Sequence, residues 1–248
     1  MRWLRLVRSE VRKITTTKMP LAFFGVIVVL AGITGAAVVW GTDMDGSKGF
    51  ISTGPDQLSL MAFAGNAMMG AALFGAVAVA REFGHGTAVP TFLASPRRGR
   101  TFSAQVTAVM LAGAALSIVG ALLIMGTVAV GLQFTDYSFM LSAGEVLRIV
   151  AASALTGAAG AALGAGLGAL IRNTGGAVAA VVGLLFIIPP IVIQLAPETA
   201  DWIPSTLGWA ISGVTTEPGV GLAMVAVVVW ALVPALAGLI STQRRDVV

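Results

Sequence analysis

Six blocks of apolar residues, Pro20–Trp40, Leu58–Ala80, Ser103–Leu132, Val146–Ile171, Thr174–Leu195 and Pro218–Ile240, alternate with short polar gaps. Crossing ~30 Å of hydrocarbon at ~1.5 Å per residue takes about 20 helical residues, and every block is long enough. The blocks are continuous and lack the period-two alternation of a membrane barrel. An open sheet is excluded because hydrocarbon cannot satisfy its edge. The pattern predicts an all-α integral membrane protein with six transmembrane helices in one transmembrane domain, residues 1–248. Ahead of the first block, Trp3, Val7, Val11 and Ile14 recur at helical spacing, with Arg5, Arg8, Arg12 and Lys13 mostly off that stripe. This predicts an amphipathic interfacial helix over residues 2–18, apolar side in the acyl boundary and basic side toward anionic lipid.

Charge orients the spans. Only 10% of the residues are charged, against about 25% in a soluble domain. Thirteen basic residues lie before the first span, in the second and fourth gaps and in the C-terminal tail. The other side holds only Lys48 and Arg148 but carries eight acids, from Asp43 to Glu217. A Lys and Arg excess marks the cytoplasmic face, which puts both termini inside the plasma membrane. The net charge of +4 then needs no nucleic-acid partner. Trp40, Trp202 and Trp209 fall near the expected outer interface. The first block exceeds the ~7–15 residues of a signal-peptide core, so cleavage is not expected. The chain has no cysteine, which excludes disulfides and thiol chemistry.

Interruptions within the spans carry further expectations. Gly160, Gly164 and Gly168 repeat every fourth residue, one turn after Gly157. Such a ridge lets a second helix approach to backbone contact, either as tight packing within one subunit or as a subunit interface or a helix that slides during transport. Pro189 and Pro190 remove two backbone donors and favour a kink or a re-entrant break. Residues 196–217 are too polar and proline-rich to cross, and are expected to form short interfacial or re-entrant helices on the outer face. No ionisable residue occupies the centre of any span, which weighs against an ion-coupled secondary transporter. Asn66 reads as glue between helices in preference to a substrate ligand. The sole histidine, His85, lies in a gap, and the chain carries neither HExxH nor GxxxxGK[ST]. No metal site and no catalytic residue is therefore assigned, and the chain is not expected to be an enzyme by itself.

The longest internal polar stretch, "REFGHGTAVPTFLASPRRGR", occupies Arg81–Arg100 within a cytoplasmic loop over residues 81–102. Gly84 and Gly86 permit a turn, Thr87 caps a short helix through Phe92 and Leu93, and Pro90 fits its first turn. Pro96 stops that helix, and Arg97, Arg98 and Arg100 hold the third span at the headgroups. Its apolar residues either rest on the membrane or meet a partner.

Glu82, then Gly86-Thr87, then "TFLASPRRGR" resembles the E-x-x-x-G-T…L-x-x-P-x-x-x-R signature of permease subunits in the ABC type-2 exporter family, in particular its actinobacterial members. "RSEVRKITTTK", "IRNTGGA" and "WIPSTLGWAIS" extend the likeness over nearly the whole chain. Gln105 departs from it, since many relatives have a lysine there. The resemblance implies that Glu82, Gly86, Thr87, Phe92, Leu93, Pro96, Arg97 and Arg98 belong to a coupling loop docking on a separate ATPase. It implies two permease copies, identical or paralogous, and two ATPases, with ATP and Mg held by the latter and no cofactor in this chain. An amphipathic, lipid-like or drug-like substrate would cross at the apolar dimer interface. A non-transporting scaffold recruiting another cytosolic protein, or a secondary transporter, are the alternatives.

Overall fold

The computed structural model describes residues 2–84 and 98–244. It is an all-α membrane protein, with six helical segments long and apolar enough to cross a bilayer and no strand among the described residues. Helix α1 (Arg2–Thr15) precedes the first span, α2 (Met19–Trp40). The second span joins α3 (Gly54–Met61) and α4 (Ala64–Gly84), and the third is α5 (Arg98–Leu132). The fourth is α6 (Ala143–Ile171), and the fifth runs through α7 (Thr174–Val182) into α8 (Ile188–Leu195). A short helix α9 (Pro204–Ser212) leads to the sixth span, α10 (Val220–Arg244). Local chemistry fixes several starts. Thr53 with Asp56, and Ser142 with Glu145, form capping boxes that satisfy the first amides of α3 and α6. Arg172 ends α6 in the left-handed region at φ 57°, and Asn173 then caps α7 through the Gly176 amide at 2.9 Å.

Helix α6 is the centre of the bundle, and glycine is what lets its neighbours reach it. Gly160, Gly164 and Gly168 lie against the main chain of α4 at Met68, Ala72 and Ala76. A Cβ on Gly164 would overlap the Ala72 carbonyl oxygen and fall 2.8 Å from the Ala76 nitrogen. The contact is reciprocal, because a Cβ on Gly75 of α4 would strike the Ala161 carbonyl. Gly157 meets Ser117 of α5, and Gly166 meets Pro234 of α10, where Gly238 faces it in turn. The ridge is thus buried inside the chain, as packing within one subunit requires, and is not available as a subunit interface. By contrast α2, α7–α8 and α10 leave most of their apolar surface uncovered by protein.

The structure refines four expectations. The second span is broken at Ala62 and Phe63, between α3 and α4, which a continuous apolar block could not reveal. Pro189 and Pro190 do not make a re-entrant break, and the helix irregularity stands just before them. Residues Gly183–Ile187 form a π turn in which the Ile188 amide donates to the Gly183 carbonyl, so the span continues past the missing donors. Residues 197–202 and α9 form the expected short helices, and of the two placements α9 departs from the purely interfacial one: Leu207, Ala210 and Ile211 are buried among α4, α6 and α10. Arg148 holds the end of α9, donating from Nε to the Ile211 carbonyl (2.8 Å) and from Nη2 to that of Ala210 (3.0 Å). Finally, the apolar stripe of α1 packs on protein. Val7 and Ile14 are buried, and Ile14 joins the cluster of Phe74, Val79 and Phe102.

Candidate functional site at the basic end of the bundle

The two feet of the loop are the end of α4 at Gly84 and the start of α5 at Arg98. Around them the ends of α1, α4, α5, α6 and α10 converge. Glu82, on the last turn of α4, is mostly buried and lies 3.4 Å from Lys13 Nζ of α1. Lys13 also meets Glu10 at 2.8 Å, and Glu10 is only 5% exposed. One ammonium therefore bridges two shielded carboxylates, one from each helix. Burial alone would lower the Lys13 pKa, but its contacts with Glu10 and Glu82 more than offset this and the net shift is upward. The stabilisation from this shift is complete below the ordinary lysine value and is lost only as pH rises through the higher folded one.

Further contacts tie α1 and the turn that follows it to both feet. Arg81 Nη2 reaches Thr17 Oγ1 at 3.5 Å, and Trp3 Nε1 donates to Ser103 Oγ at 3.3 Å on α5. On the other side of α4, the Arg172 guanidinium sits 5.1 Å above the Phe83 ring and donates to the Ser241 carbonyl at 3.4 Å. Gly99 leaves room for Gln243 of α10. Arg98 is half-buried as the first residue of α5, so the third span starts inside the arginine cluster that was expected to precede it.

Neither a protein-family model nor a curated protein matches the chain.

Of the loop residues, Glu82 and Arg98 occupy this convergence. Gly86, Thr87, Phe92, Leu93, Pro96 and Arg97 lie outside the described residues, as does His85. Gln105, where the resemblance breaks, is buried in α5. Sequence reading passed over Glu10. Its signal was present: a lone acid in a basic helix, three residues before Lys13, is placed to pair on the helix surface. Asn66, expected to join helices, makes no such contact among the described residues. It is exposed, and its side chain makes no hydrogen bond to a described residue. The basic end can transmit displacement between the loop and the bundle, because α1 is fastened to both feet by polar contacts and to the core by Ile14.

Proposed function

We propose that this chain is the membrane-spanning subunit of an ATP-driven ABC exporter of the type-2 family, working as a dimer with separate ATPase subunits. The observation that supports this best is the gathering of α1 and both loop feet around Lys13, Glu82, Arg81 and Ser103. A loop pushed by a soluble motor must be anchored stiffly to the spans it moves, and here each foot is tied both to α1 and to the bundle. In this reading the basic end is cytoplasmic and the chain resides in the plasma membrane with both termini inside. The ATPase dimer closes on ATP, presses on two such loops, and turns the permease pair from inward- to outward-open.

The test is copurification of an ATPase with the detergent-solubilised protein, together with transport by Glu82→Ala and Gly86→Val variants. Both should insert at normal abundance, yet partner recovery or ATP-driven transport should fall by a coupling loss of ~1–3 kcal/mol. Normal partner recovery and normal transport in both variants would remove the loop as the coupling element.

A further inference from the structure

Asn66 sits about 22 Å along α4 from Arg81, counting ~1.5 Å per residue, and so well inside a ~30 Å hydrocarbon layer. An amide at that depth with no partner is strongly disfavoured unless something covers it. On either side of it the structure holds a cavity. One, of about 430 Å³, lies between α2, α4 and α5. The other, of about 340 Å³, lies between α4, the π turn with α8, and α9. Asn66 and Met69 line both, so the two meet at these residues. The second cavity gathers two more hydrogen-bonding side chains, Ser205 and Trp209, against Phe186 and Pro189. Neither makes a side-chain hydrogen bond among the described residues.

We infer that this crevice binds an uncharged amphipathic small molecule, its polar group held by Asn66, Ser205 and Trp209 and its hydrocarbon lying along α4 toward α2. Size selects a small molecule. Each cavity falls near the lower end of the ~300–1,000 Å³ range of ligand sites, whereas a helix from a second copy needs a groove about 10 Å wide. Chemistry selects a neutral one: no ionisable residue lines either cavity, and a charge there would find no counter-charge at membrane depth. The π turn at Gly183–Ile187 borders the polar end, and such turns recur at functional sites because they displace side chains from the regular helical register. That the ligand is cargo rests on the exporter reading; that it binds does not.

Photo-crosslinking in lipid nanodiscs tests the site, with a diazirine- and alkyne-bearing monoacylglycerol as the probe and adducts mapped by mass spectrometry. Saturable adducts are expected on the peptides around Met69, Phe186 and Trp209, competed by plain monoacylglycerol and not by anionic lysophosphatidate. Asn66→Leu should weaken this labelling about five- to tenfold, the loss of one buried hydrogen bond. Met69→Trp should abolish it by filling the junction, and Ser205→Ala, a milder change, should weaken it with melting temperature unchanged. Adducts spread evenly over the lipid-facing helices, or labelling indifferent to all three variants, would overturn the inference. So would dissociation of copies by Asn66→Leu with labelling unchanged, which would assign the crevice to a second subunit. Saturable labelling of a protein that recovers no ATPase would keep the site and remove the exporter; ATPase recovery without saturable labelling would do the reverse.

Discussion

Adding one methyl group at Gly164 tests how the centre of the bundle is held. The Cβ of Gly164→Ala would enter the Ala72 carbonyl oxygen of α4 and lie 2.8 Å from the Ala76 amide nitrogen. Both obstacles are main chain, so no rotamer change can relieve the clash and the helices must separate. Overpacking of this kind costs ~1–3 kcal/mol, and a backbone obstacle places it at the upper end. At ~2–4 °C per kcal/mol for a chain of this size, the melting temperature should fall by about 6–12 °C. Gly126→Ala is the matched control on α5, since its Cβ would meet nothing within 4 Å. There the methyl group removes the helical penalty of glycine, ~0.5–1 kcal/mol, and should leave stability unchanged or raised. Thermal unfolding of the purified protein, followed by the fluorescence of its five tryptophans, reads both. Equal melting temperatures would refute the packing argument. So would a Gly164→Ala variant of normal stability that no longer associates, because the ridge would then face another subunit.

Lys13→Met should loosen α1, since it leaves Glu10 and Glu82 shielded without their shared cation. With Lys13 40% exposed, solvent screening limits the Lys13–Glu82 coupling to about 1 kcal/mol, measurable in a double-mutant cycle with Glu82→Gln; a coupling of zero would mean that this ion pair does not help to hold α1. Arg148→Met should free the end of α9 by removing two charged hydrogen bonds to carbonyls, worth ~1.5–3 kcal/mol each, and should raise labelling of a cysteine placed at Thr206. Unchanged labelling there would show that burial of Leu207 and Ile211 suffices. The absence of native cysteine makes topology directly readable: an impermeant maleimide should label Ser47→Cys in intact cells and Ser9→Cys only after permeabilisation. The opposite pattern would invert the orientation and with it the coupling proposal.

What the sequence determined by itself was what the bilayer determines. Hydrocarbon thickness and the cost of unpaired backbone groups leave a chain with six long apolar blocks one architecture, so span number and approximate boundaries follow from composition along the chain. The capping pairs Thr53 with Asp56 and Ser142 with Glu145 were equally local, since their partners lie three residues apart. Tertiary structure decided everything that depends on which helix a residue meets. The same glycine spacing serves an intramolecular or an intersubunit contact, and only the position of Ala72 and Ala76 across from Gly164 distinguishes them. The stripe of α1 could face lipid or protein with equal hydrophobic gain, and the placement of Phe102 and Val79 settled it. Asn66 looked like glue because an intramembrane amide normally finds a partner; here the neighbouring helices diverge around it and leave two cavities instead. Lys13 and Glu82 lie 69 residues apart in sequence, and no local pattern joins them. Their meeting is a consequence of how α1 docks, because Coulomb attraction acts through space and helical periodicity only along the chain.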